Sequence, residues 1–138
     1  MMVQTCIHNT LLISPTLKPS QLLTIVNRTA SLNIGKIDEK KYMTIIALTQ
    51  NEGKFTFSGL HSEILIYRKK TKTVDLIMTE GIWIGISEDV GDAFTDNSFE
   101  LDVEDVMLIY TDGITEAWKK GTVEGERDIK NDMFGKDR

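Results

Sequence analysis

The chain has 138 residues, a formal charge of −5 and a sequence pI near 5.0. That acidity excludes a general nucleic-acid binder, because a phosphate backbone calls for a basic face. Apolar residues make up 41% and charged residues 27%, which argues against disorder over most of the length. It leaves enough apolar material for one domain burying roughly 70% of the unfolded chain's surface.

No apolar run approaches the roughly 20 residues that cross a bilayer, and no secretion signal opens the sequence, so no membrane segment and a cytoplasmic location are expected. The single cysteine, Cys6, cannot form an internal disulfide and fits a reducing compartment.

Val3, Ile7 and Leu11 recur at four-residue spacing with no capping signal ahead of them, as on a helix entered midway. Ser14-Pro15 breaks it. Pro19 suits a first helical position and opens a second helix, with Leu22, Leu23, Ile25, Val26 and Ala30 facing inward and an end near Gly35. From Tyr42 the period changes to that of strands. Tyr42 to Thr49 is rich in β-branched and apolar residues, Asn51-Glu52-Gly53 is a turn, and Lys54 to Gly59 returns with Phe55 and Phe57 alternating. A second hairpin follows, Glu63 to Arg68 and Thr73 to Met78, turned by the basic tip Lys69 to Lys72. Gly81 to Ile86 is a short apolar piece, Ser87 to Asn97 an acidic loop, Ser98 to Leu101 an edge strand, and Val106 to Thr111 a buried strand. Lys119 to Asp132 reads as an exposed loop. Two helices followed by mostly antiparallel strands predict an α+β domain, with the helices on an antiparallel sheet of at least five strands. Tyr42 to Leu48 is apolar on both faces, so a second layer is expected beyond that sheet.

Few residues stand out as chemical. Cys6, His8 and His61 lack a standard zinc spacing and read as a buried thiol and two hydrogen-bonded imidazoles. Glu88, Asp89, Asp92 and Asp96 lack the ligand pattern of a calcium loop and read as solvated surface. Lys69, Lys70 and Lys72 read as a solvated hairpin tip. Asp112 differs by its context. It closes the run Leu108-Ile109-Tyr110-Thr111, where a rigid strand could present a carboxylate to a hard cation. Asp-Gly is also a strong hairpin signal, but Ile114-Thr115-Glu116-Ala117-Trp118 favours a helical turn, with Thr115 able to cap it. Ligand and turn both remain open from the residues alone.

The stretch Leu108 to Ala117, LIYTDGITEA, resembles the signature of bacterial metal-dependent protein phosphatases of the 2C-like superfamily, in the branch of sporulation phosphatase E and the sigma-factor regulators. Weaker marks follow in family order. Pro19-Ser20 through Leu23 with Asn27-Arg28 resembles the helix before the sheet, and Tyr42-Met43-Thr44 the strand after it. Phe57 to His61 stands where Asn-Ala-Gly-His is usual, Gly81 to Gly85 where Gly-x-Pro-Leu-Gly is usual, and Phe134 to Arg138 where Phe-Gly-x-x-Arg is usual. Ser58, Gly59 and Leu60 depart from this pattern, as do Trp83 in place of proline and Glu104 in place of glycine before Asp105.

The resemblance implies an incomplete α-β-β-α sandwich, residues 1–138 being a partial phosphatase domain without the early and late aspartate motifs. It implies two Mn2+ or Mg2+ ions in the complete domain. Those ions lower the pKa of the attacking water and neutralise the phosphoryl oxygens of a phosphoserine or phosphothreonine protein, such as an anti-sigma-factor antagonist. Asp112 matches one metal ligand and catalytic position, with Thr111, Gly113 and Glu116 as supports of the loop. One carboxylate cannot hold two such ions, so the chain alone is expected to be inactive and to bind none. Bare strand edges are expected to promote self-association. The alternatives are a non-catalytic phosphatase-like interaction module in a partner-switching pathway, and an α+β domain in which Asp112 only turns the chain.

Overall fold

The computed structural model describes residues 2–34 and 42–115. Two helices, α1 (Met2–Ile13) and α2 (Pro19–Ile34), precede two three-stranded antiparallel sheets. The strands are β1 (Ala47–Asn51), β2 (Lys54–Ser58), β3 (Ile64–Arg68), β4 (Thr73–Ile77), β5 (Asn97–Glu100) and β6 (Val106–Leu108). A one-turn helix, α3 (Asp112–Thr115), follows. Glu116 and everything C-terminal to it lie outside the described residues, as do the expected helix end at Gly35, the loop Lys119 to Asp132 and Phe134 to Arg138.

The start of α2 is fixed by chemistry at two ranges. Pro19 occupies the first helical position, and Gln21 Oε1 reaches back to accept the Lys18 N–H at 3.0 Å, as in a capping box. Asp96, from the acidic loop, then accepts Ser20 N–H at 2.9 Å and the Ser20 hydroxyl at 2.7 Å. Asp96 is therefore a helix cap supplied from 76 residues away as well as surface, a pairing that no local pattern announces. Leu22, Leu23, Val26, Asn27 and Ala30 form the buried stripe of α2. Ile25, expected inward, is 40% exposed because it sits on the shoulder of that stripe.

The single sheet of at least five strands expected from the sequence is two sheets, ordered β1-β2-β5 and β4-β3-β6. They face each other because both present apolar rows. Phe55 and Phe57 of β2 and Phe99 of β5 meet Ile64 and Ile66 of β3 and Met107 of β6 in one core. Within it Phe55 and Phe99 stack at 5.3 Å between ring centroids. The other face of the first sheet packs on the helices, where Leu22, Leu23, Val26 and Ala30 meet Ile84, Phe94, Ile45 and Ala47. The layers thus run helices, sheet, sheet.

The β1–β2 turn forms as the sequence predicts. Glu52 and Gly53 both have positive φ, 49° and 83°, the twist a two-residue hairpin requires. Two strand expectations change. Regular pairing in the first hairpin begins only at Ala47, with Met43 making an isolated bridge to Ile84. Gly81 to Ile86 contributes only that bridge. The expected buried strand Val106 to Thr111 pairs only over Val106–Leu108, and Val106 and Leu108 are 59% and 52% exposed. Its alternate residue, Met107, faces the core. The outward rows of the second sheet, Leu65 and Tyr67, Val74 and Leu76, Val106 and Leu108, are all apolar and carry no further layer among the described residues.

The two sheets are tied at one edge by an ion-pair network. Arg68 Nη1 donates to Asp105 at 2.9 Å and to the Glu100 carbonyl at 2.8 Å, while its Nε donates to Asp75 at 2.7 Å. Asp105 also accepts the backbone N–H groups of Lys69 and Asp102 at 2.9 and 3.1 Å. The Arg68 hydrogen bond, followed by that of Lys69 N–H, holds the Asp105 carboxyl below the usual carboxylate range. Glu104 takes φ +68°, a glycine's conformation, which gives a physical reason for the glycine usual at that position in the similar family.

Candidate functional site

The end of the sheets where β2 and β6 finish and β3 begins carries His61 and, beyond β6, the segment Tyr110 to Asp112. The link from β2 to β3 turns at Gly59, whose φ is +106°. A Cβ there would collide with the Ile45 carbonyl oxygen and lie 2.7 Å from Leu23 Cδ1, so only glycine fits. Gly81 packs directly against it, an added Cβ reaching the Gly59 backbone at 3.4 Å. Ser58, opposite Ala47 in the ladder, faces the helices, and its hydroxyl is buried without a hydrogen-bond partner.

His61 follows and is held on three sides. Its N–H donates to Thr79 Oγ1 at 3.0 Å, the same hydroxyl donates to the His61 carbonyl, and Nδ1 lies 3.0 Å from Thr44 Oγ1. Two residues on, Glu63 accepts the Tyr110 hydroxyl at 3.2 Å. Burial, and then the neighbouring Glu63 carboxylate, raise the Tyr110 phenol above its ordinary value. No sequence pattern joins Thr44, Thr79 and Tyr110 to this cluster, because each contact links segments 17 to 47 residues apart.

Asp112 lies two residues beyond Tyr110, where the chain leaves β6. After Leu108 the chain passes Ile109, Tyr110 and Thr111 and enters α3 at Asp112, with Ile114 N–H donating to the Thr111 carbonyl at 3.0 Å. The helix-start reading of Thr111-Asp112-Gly113 holds and the hairpin reading does not. Thr115, expected as a possible cap, is instead the last residue of α3. Asp112, Thr111 and Gly113 are all exposed. A Cβ on Gly113 would meet only Thr111 Oγ1, at 3.4 Å, so the described fold makes no demand for glycine there. Glu116, the fourth expected site residue, lies outside the described residues.

An exposed carboxylate on a short helix fits one oxygen ligand of a hard divalent cation by its donor chemistry. Among the described residues, no three His, Cys, Asp or Glu side chains gather into a metal group, the Cys6, His8 and His61 set included. Neither does any helix among them have the length and apolarity to cross a membrane. An open apolar groove of about 730 Å³ lies between α1 and residues 43–45, lined by Val3, Ile7, Leu11 and Met43. Its wall includes Thr44, so it opens beside the polar cluster.

Comparison with known proteins gives one match. The family model described as Stage II sporulation protein E (SpoIIE) matches residues 1–138. No curated protein and no solved structure matches.

Proposed function

Because the chain belongs to the stage II sporulation protein E family, a family of phosphatases, we propose that it forms part of a metal-dependent phosphoserine/phosphothreonine phosphatase domain with Asp112 as a ligand of Mn2+ or Mg2+. The observation that carries this reading is the path of the chain at Asp112. The segment leaves the second sheet through β6 and starts a helix there instead of turning back, so an exposed carboxylate stands on a supported corner.

In this reading Asp112 binds and orients the cation. Gly113 leaves room beside the carboxylate that the fold itself does not use, and Thr111 fixes the first turn through its carbonyl. When bound, the divalent ions supply a water of lowered pKa and offset the charge of the phosphoryl oxygens. The remaining oxygen ligands of a two-ion site must come from carboxylates beyond those described, since Asp112 provides only one side chain. The substrate is a phosphorylated signalling protein, of the class exemplified by anti-sigma-factor antagonists.

The competing reading is a phosphatase-like interaction module that binds a signalling partner without catalysis. One substitution separates the two. In the intact protein Asp112→Asn should lower release of phosphate from a phosphoserine protein by orders of magnitude while leaving the melting temperature nearly unchanged, because an exposed residue contributes little to packing. Full activity in that variant would remove Asp112 from the metal site. Absence of any metal-dependent activity in the unsubstituted intact protein would favour the binding module.

A further inference from the structure

Ile109, Tyr110 and Thr111 separate the last paired residue of β6 from Asp112, and among the described residues no strand pairs with them. Ile109 and Thr111 are exposed, whereas Tyr110 is half-buried. Among the described residues, a single hydrogen bond ties this stretch sideways to another part of the sheet, the Tyr110 hydroxyl donating to Glu63 Oε2 at 3.2 Å. The Thr111 carbonyl bonds forward, to Ile114 N–H. Between Leu108 and α3 the phenol therefore makes the lateral hydrogen bond that holds the chain.

Its acceptor stands on the best-supported strand of the second sheet. β3 is the middle strand, paired with β4 on one side and β6 on the other. Glu63 directly precedes Ile64, whose side chain is fully buried in the core between the sheets. Two residues before Glu63, His61 is clamped to Thr79 through both its N–H and its carbonyl. Glu63, itself half-buried, is thus held from both directions along the chain. A carboxylate acceptor also makes a stronger hydrogen bond than a neutral one. The bond extends the rigidity of β3 to a stretch that the ladder does not reach.

We propose that Glu63 and Tyr110 form a brace that fixes the start of α3 to β3, and that both are positioning residues for the cation at Asp112. The proposal rests on the metal-site reading of Asp112. A binding constellation must be held within about 0.5 Å of its working geometry, and a three-residue stretch released at its middle does not hold Asp112 to that tolerance. Because Glu63 acts through the phenol, its acceptor oxygen matters more than its charge.

The test is titration calorimetry of the intact protein with Mn2+ alone, alongside thermal melts. Tyr110→Phe keeps the ring and removes only the hydroxyl, and should weaken Mn2+ binding by about tenfold, the lower end of what loss of a supporting contact does to a metal site. Glu63→Ala should weaken it by a similar factor, and Glu63→Gln, which keeps an acceptor oxygen, by clearly less. The Glu63→Ala/Tyr110→Phe double variant should lose no more than either change alone, since both remove one contact. A lower melting temperature in Tyr110→Phe with unchanged Mn2+ affinity makes the pair purely structural and overturns the proposal. Weakening by Glu63→Gln as large as by Glu63→Ala, with Tyr110→Phe silent, assigns the effect to charge and overturns it as well. In either case, binding that is weakened by Asp112→Asn leaves the phosphatase reading standing. Mn2+ affinity indifferent to Asp112→Asn overturns that reading and the brace together. Tyr110→Phe decides by itself if Glu63→Ala does not fold.

Discussion

Asn27 offers the sharpest test of how the loop behind the sheets is held. Its side chain is fully buried on α2. Nδ2 donates to the Ser87 carbonyl at 2.8 Å, and Oδ1 accepts the Gly85 N–H at 2.9 Å. Replacing Asn27 with alanine leaves two groups to account for. The Gly85 N–H loses its acceptor in a buried position, a loss of about 1–3 kcal/mol. The Ser87 carbonyl keeps the Ser31 hydroxyl at 2.9 Å, so its loss is smaller. With the small void added, Asn27→Ala should destabilise the chain by about 2–3 kcal/mol in urea denaturation. The shared carbonyl makes a second measurement possible. Ser31→Ala should cost more in the Asn27→Ala background than alone, with a coupling of about 0.5–1 kcal/mol, because Ser87 then loses both donors. A cost for Asn27→Ala below about 0.5 kcal/mol, or additive effects of the two changes, would refute the clamp.

Three further outcomes follow from single residues. Ser58→Ala should raise stability by about 1 kcal/mol in the same assay, since it removes a buried hydroxyl that has no partner. Glu104→Gly should stabilise by about 0.5–1 kcal/mol by relieving the positive φ, and a loss of stability measured by calorimetry would contradict that reasoning. The Asp105 carboxyl is held below its unfolded value, so its contribution is fully present above the ordinary carboxylate range and is lost as pH falls through the lower folded value. Thermal melts of the unsubstituted chain should fall steeply below about pH 4, and Asp105→Asn, less stable near neutrality, should show a shallower acid limb.

The sequence displayed whatever depends on neighbours along the chain. Pro19, the Asn51-Glu52-Gly53 turn and the alternation of Phe55 and Phe57 each encode a local geometry that the fold adopts. The same alternation tells which side chains share a face but not which sheet will lie opposite, so one broad sheet and two facing sheets read alike. Capping by Asp96, clamping by Asn27 and the joining of Thr44 and Thr79 to His61 all bridge distant positions, and no spacing rule reaches them. The corner at Asp112 was legible because a strand, a glycine and a helix start coincide within a few residues. His61 was visible only as an isolated imidazole, since the groups that hold it, Thr44 and Thr79, lie 17 and 18 residues away.

The outer rows of the second sheet, bare among the described residues, have a thermodynamic signature of their own. Leu76 and Val106 are already hydrated in the native state, at 63% and 59% exposure, and their neighbours on that face are partly so. Unfolding therefore uncovers less new apolar surface than is usual for a chain of this length, and apolar uncovering is what raises the heat capacity. The heat-capacity increment should lie below the usual value of about 12–15 cal/mol/K per residue, and the stability curve should be correspondingly flat. Whatever layer seats itself on Leu65, Tyr67, Val74, Leu76, Val106 and Leu108 would steepen that curve, so a calorimeter can register the covering of this face without any knowledge of what covers it.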